Sequence, residues 1–88
     1  MVKKRVKVTN PSGLNVKYAG MICDIAVNHD CKILLKKGAD AEYNAKSILS
    51  VLGAAVVSGD EIEIVCNGAD EKVALSELVE LIQNRFGE

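Results

Sequence analysis

Ser12-Gly13-Leu14-Asn15-Val16-Lys17-Tyr18-Ala19 follows directly on Asn10-Pro11. Pro11 fixes one backbone dihedral and Gly13 permits a positive φ, so residues 10–13 read as a turn. A helix is expected from about Val16 to Val27. Ala19, Ile22, Cys23 and Ala26 recur there at helical spacing and share one face. Asn15 stands just ahead of it, where a side-chain amide can cap the first turn. Asn28-His29-Asp30 closes the helix, since Asn is a good left-handed terminator. His29 is placed at that end, where partial positive charge suits the helix dipole.

Working outward, Val6 and Val8 share one face of a half-buried strand within residues 2–9, with Lys7 pointing away. Beyond the helix, Lys32 to Lys37 reads as a second strand with Ile33 and Leu35 inward. Lys37-Gly38-Ala39-Asp40 is a turn, and a short third strand spans about Ala41 to Tyr43. Ser47 precedes Ile48-Leu49-Ser50-Val51-Leu52, a short helix ended by Gly53, and is expected to bond the backbone N–H of Ser50 or Leu49. Glu61 to Cys66 alternates, with Ile62, Ile64 and Cys66 on one face and Glu61 and Glu63 on the other. Asn67-Gly68 is a turn. Asp70 is the expected N-cap of a last helix, about Glu71 to Arg85, whose apolar face is Ala74, Leu75, Leu78, Leu81 and Ile82.

The order is therefore β-α-β-β-α-β-α. Its economical packing is an α/β (α+β) open-faced sandwich: one four-stranded sheet with helices on one face. The other face is left to solvent, in keeping with Lys7, Lys32, Lys36, Glu61 and Glu63. The 88 residues are read as a single domain, 1–88, and 49% apolar content beside 26% charged residues argues against disorder.

Composition excludes several function classes. A net charge of −1 offers no electrostatic reason to bind nucleic acid, and two Tyr, one Phe and no Trp leave few platforms for base stacking. Lys3-Lys4-Arg5 and Lys36-Lys37 read as solvated strand ends. No apolar run is long enough to span a bilayer, and the basic start Met1-Val2-Lys3-Lys4-Arg5 is not followed by an apolar stretch. No membrane association and a cytoplasmic location are expected. Cys23, Cys31 and Cys66 lack CxxC spacing, so neither a disulfide framework nor a metal site is expected, and Cys23 and Cys66 read as small buried hydrophobes. No cofactor is expected.

Ser12-Gly13-Leu14-Asn15 and Asn44-Ala45-Lys46-Ser47-Ile48-Leu49 resemble the two phosphorylation sites of HPr, the small phosphocarrier of the bacterial sugar phosphotransferase system. Lys7-Val8-Thr9, Gly68-Ala69-Asp70-Glu71 and Ala74-Leu75 with Leu78 extend the resemblance along nearly the whole chain. One residue in excess of the usual pattern falls between Lys36 and Glu42, in the turn. The resemblance implies the HPr-like sandwich, and a phosphocarrier-like protein rather than an enzyme.

At the first site the family pattern has a histidine after Gly and an aliphatic residue, then Ala, Arg, Pro and Ala. Here Asn15 stands at the histidine position, Lys17 replaces the arginine and Tyr18 the proline. A carrier needs a nucleophile whose phosphoryl adduct is labile, and an imidazole nitrogen supplies one. The Asn15 amide nitrogen is delocalised and not nucleophilic. Lys17 keeps the charge but loses the guanidinium fork. Tyr18 keeps bulk without the fixed φ of proline. These departures weaken the case for docking of phosphotransferase enzyme I.

At the second site, the resemblance implies that Ser47 is a target of a kinase like HPr kinase/phosphorylase, and that Ile48, Leu49 and Leu52 form an exposed patch for a protein partner. A transcriptional regulator is such a partner. An Asn at the carrier position with the serine retained is similar to Crh-like regulatory members of the family, although those keep the Ala-Arg-Pro-Ala run. The implied function is a regulatory protein controlled at Ser47. Two alternatives stay open: a module retaining neither phosphorylation, and an atypical carrier with another acceptor. His29 is the only histidine for the latter, a full helix away from the Gly13 loop.

Overall fold

The computed structural model describes residues 1–88 as β1 (Val2–Lys7), α1 (Val16–Ala26), β2 (Lys32–Lys37), β3 (Ala41–Asn44), α2 (Ile48–Gly53), β4 (Glu61–Asn67) and α3 (Glu71–Gln83). A single 3-10 turn, Arg85–Gly87, follows α3. The strands form one antiparallel sheet in the order β1-β4-β2-β3. Element order and class are those expected from the sequence. The first strand ends at Lys7, although Val8 still bonds across to the β4 side through Asp60 O at 2.8 Å.

Strand alternation decides which side chains face the helices. Val6, Ile33, Leu35, Ile62, Ile64 and Cys66 point to one side and are all buried. They join Ala19, Ile22 and Ala26 of α1 and Ala74, Leu78 and Ile82 of α3 in one core cluster. Burying an aliphatic side chain such as Ile22 or Leu78 is worth roughly 1.5–3 kcal/mol, so this shared layer holds the helices on the sheet. Val51 is the α2 residue that enters the core, while Leu52 is half-buried at its edge.

On the other face, cross-strand neighbours alternate in charge. Arg5 opposes Glu63, Glu63 opposes Lys36, and Lys36 opposes Glu42. Each opposite-charge pair of this kind adds a fraction of a kcal/mol. One rung departs from the expected solvated face. Val65 lies between Lys3 and Leu34 and is buried there. The aliphatic stems of lysines beside an apolar pair can cover it while their ammonium groups stay in water.

Four local expectations are corrected. The third strand runs one residue further, to Asn44, and the last helix stops at Gln83 rather than Arg85. Arg85 and Phe86 take φ of 55° and 56°, a left-handed pair that breaks the right-handed course of α3, and the Phe86 ring is buried in the core. Cys23 is only half-buried, because its position on α1 faces the β3–α2 connection, whereas Cys31 is buried along with Cys66. Asp70 holds the N-cap position of α3 but its side chain makes no capping bond. That carboxylate is turned toward α1 instead. No helix is long and apolar enough to cross a membrane.

Candidate functional site

The loop ahead of α1 is held from both ends. Asn10 is buried and donates Nδ2 to Gly13 O at 2.7 Å, while Gly13 N–H returns a bond to Asn10 O at 3.1 Å. Leu14 N–H bonds Val56 O at 3.1 Å. Gly13 has φ +62°, and a Cβ there would lie 2.6 Å from Val56 O, so the backbone approach itself requires glycine. The loop thereby delivers Asn15 to the N-cap of α1.

Asn15 Oδ1 accepts the Tyr18 N–H at 3.0 Å, and its Nδ2 lies 3.4 Å from Ser12 Oγ. The cap position inferred from the sequence is therefore the observed one. The side chain is exposed but supplies no nucleophile. Lys17 is exposed, with Nζ 5.6 Å from the Tyr18 ring centroid. Tyr18 is buried, stacks on Phe86, and donates its hydroxyl to Glu88 Oε1. This core role was missed in reading the sequence, although Tyr18, Ile22 and Ala26 lie four apart on one helical stripe. Arg85 Nε, from the same C-terminal turn, lies 3.3 Å from Thr9 Oγ1.

Ser47 occupies the N-cap of α2 in extended geometry (φ −122°, ψ 119°), and its Oγ accepts the Ser50 N–H at 3.3 Å. Ser50 Oγ accepts the Asn44 N–H at 2.8 Å, and Asn44 Oδ1 accepts the Lys46 N–H at 2.9 Å. Two bonds clasp this segment to α1 and the turn after it: Cys23 Sγ of α1 donates to Lys46 O at 3.2 Å, and Lys46 Nζ donates to His29 O at 2.6 Å. Beside Ser47, Leu49 is 82% and Ile48 40% exposed. The two large apolar side chains stand next to each other on the solvent side of α2, while Val51 points into the core. The Asn15 and Ser47 loops are not bonded to one another; each caps its own helix.

His29 follows α1, as expected, but its ring is engaged by α3. Nδ1 lies 2.8 Å from Asp70 Oδ2 and Nε2 3.1 Å from Glu77 Oε1. Asp70 also accepts the N–H groups of Asp30 (3.2 Å) and Cys31 (3.0 Å). The bonds to Glu77 and then Asp70 raise the His29 pKa above its ordinary value, against some desolvation. Desolvation pushes the Asp70 carboxyl upward, but the bonds from His29, Cys31 and Asp30 outweigh it and hold the group well below the usual carboxylate range. The buried thiols are poor nucleophiles: burial, then neighbouring Cys31, pushes Cys66 up to about 12, and burial raises Cys31. No group of three His, Cys, Asp or Glu side chains is placed to hold a metal ion.

A family profile described as "PTS HPr component phosphorylation site" matches residues 2–84. The phosphocarrier protein HPr of Treponema pallidum is 41% identical over 88 residues, covering all of this chain and 99% of that protein. The crystal structure of HPr from Thermoanaerobacter tengcongensis superposes with a TM-score of 0.96 at 30% identity, over 100% of this chain and 98% of that one. Bacillus subtilis Crh, a protein described as a swapped, intertwined dimer, matches with a TM-score of 0.76 at 30% identity, over 97% of each chain.

Proposed function

This chain belongs to the HPr family, whose members are phosphocarriers of the phosphotransferase system rather than enzymes, and from that premise we propose a regulatory member that does not carry phosphate on histidine. It works in the cytoplasm, is controlled by phosphorylation of Ser47, and acts by docking Ile48, Leu49 and the edge of Leu52 on a protein partner. The carrying observation is Asn15 at the cap of α1, with its amide oxygen committed to the Tyr18 N–H and no imidazole in the loop. Loss of the acceptor with retention of the serine segment favours a Crh-like role.

The only histidine supports this reading against an atypical carrier. His29 stands past the C-terminal end of α1, roughly 16 Å of helix away from Asn15 at 1.5 Å per residue. Each of its ring nitrogens faces a carboxylate. A phosphoryl group would have to displace one of these and approach the remaining negative charge. At Ser47, a kinase resembling HPr kinase/phosphorylase would meet a half-buried hydroxyl whose one bond inside the protein is the 3.3 Å cap contact. The partner is a transcriptional regulator or another protein that covers the α2 patch. Docking of enzyme I is not part of this role, because the exposed Lys17 lacks the guanidinium fork of the family pattern beside Asn15 and Tyr18 replaces its proline.

Two incubations read by intact mass test the proposal. With enzyme I and phosphoenolpyruvate the mass should not change. With HPr kinase, ATP and magnesium it should rise by one phosphoryl group, and Ser47→Ala should abolish the rise. An acid-labile adduct in the first arm would identify a carrier. No adduct in either arm would leave a module that retains neither phosphorylation.

A further inference from the structure

His29 is gripped on both ring nitrogens, and the grip has a chemical consequence. A neutral imidazole carries one N–H and one bare lone pair. Whichever nitrogen were bare would face a carboxylate oxygen, Asp70 at 2.8 Å or Glu77 at 3.1 Å, as lone pair against lone pair. Only the imidazolium donates to both. The His29 side chain is 10% exposed, while the Glu77 carboxylate that meets it is 47% exposed and can turn to water.

The groups facing the ring are few. From the α3 side they are Asp70 and Glu77, both anionic. From the β3–α2 connection it is Lys46, whose ammonium sits on the His29 carbonyl rather than on the ring. Asp30 and Cys31 follow His29 in the chain and contribute their backbone N–H groups to Asp70. Two carboxylates against one cation favour the charged ring. The raised proton affinity agrees, from Glu77 first and Asp70 second.

We propose that the His29 imidazolium is a pH-sensitive pin between the end of α1 and α3, and that Lys46, gripping the His29 carbonyl, passes the ring's charge state to the segment carrying Ser47. Loss of the proton turns one of the two carboxylate contacts repulsive. Asp70 is held by two further N–H donors, so Glu77 is the group that leaves. His29 then shifts, and the carbonyl bonded to Lys46 shifts with it. The pin stands whether or not Ser47 is phosphorylated.

The test is nuclear magnetic resonance of the whole chain from pH 6 to pH 9.5, following the His29 ring nitrogens and the backbone amides of Lys46 and Ser47. Both ring nitrogens should be protonated at pH 6. The ring should lose its proton in one step with a midpoint above 6.5, and the two amides should move with the same midpoint. Glu77→Gln, at an exposed position, should lower the midpoint, and His29→Gln should abolish the step at the amides. A midpoint at or below 6.5, or an unchanged midpoint in Glu77→Gln, would overturn the pin. Amides that stay still, or follow another midpoint, would overturn the coupling to Ser47. If His29→Gln does not fold, the wild-type and Glu77→Gln titrations decide alone.

Discussion

Tyr18 and Phe86 stack with ring centroids 4.6 Å apart and planes 20° from parallel, joining the first turn of α1 to the C-terminal turn after α3. Aromatic pairs at this separation add roughly 0.5–1.5 kcal/mol beyond their burial. The stack explains why Phe86 tolerates a left-handed backbone: the energy of its buried ring outweighs the strain of a positive φ, on the order of 1–3 kcal/mol per such residue. It also gives Tyr18 a reason to stand where the family pattern has proline.

Phe86→Ala should therefore destabilise the protein by about 3 kcal/mol, the lower part of the range for deleting a core aromatic. Tyr18→Phe keeps the stack and loses only the hydroxyl bond to Glu88, so it should cost about 1 kcal/mol. Urea unfolding of both variants checks the order. Equal losses would mean that the hydroxyl, not the ring pair, holds the C-terminal turn.

Asn15→Ala should cost about 1 kcal/mol, the usual worth of an N-cap, and Asn15→Ser should restore most of it. Asn15→His places an imidazole in the loop. Labelling of that variant by enzyme I and phosphoenolpyruvate would show that the loop still docks enzyme I. Adding Tyr18→Pro deletes the N–H that residue 15 accepts and removes the ring from the Phe86 stack. That combination should lower stability before it improves any transfer, as a thermal melt would show.

Ser47→Ala should abolish kinase labelling and lose about 1 kcal/mol of cap energy. Because the two effects arrive together, stability must be measured before a lost regulatory response is credited to missing phosphate.

Leu49→Gln should leave stability within about 0.5 kcal/mol, as for most exposed substitutions, and weaken binding of the protein partner. Val51→Ala, two residues on, should cost about 2 kcal/mol, since Val51 is the buried residue of α2. Isothermal titration against the partner, with urea unfolding beside it, separates docking from packing. Undiminished binding by Leu49→Gln would remove this residue from the contact surface.

Acid should weaken the fold through Asp70 and Asp60. The first is held low by His29, Cys31 and Asp30 against desolvation, and the second chiefly by the Val57 N–H, with Lys37 adding. Such groups contribute stability above the ordinary Asp pKa of about 3.9, and it is lost as pH falls through their lower folded values. His29 acts in the opposite sense: its contribution is complete below about 6.5 and is lost as pH rises through its raised folded value. Unfolding free energies should thus fall on both sides of a plateau between about 4 and 6.5. Asp70→Asn should flatten the acid side and, by weakening the grip on His29, shift the alkaline side downward.

Residue spacing alone determined the element order, the inward faces of β2 and β4, and the caps at Asn15 and Ser47. These rest on interactions within a few residues: strand alternation, helical periodicity, and a side-chain oxygen reaching an N–H three positions on. Only the tertiary structure decided the choices between partners far apart in the chain. Asp70 carries good capping chemistry, yet folding brings His29 and the Asp30 and Cys31 N–H groups within its reach, and their combined bonds are stronger than one cap. Val65 has the spacing of a solvated residue, yet the register sets it between Lys3 and Leu34. Tyr18 reads locally as a helix-turn residue, and it becomes core because Phe86 returns to meet it. Local geometry is written in sequence separation; which distant group wins a hydrogen bond or a ring contact is settled by proximity that only the folded chain creates.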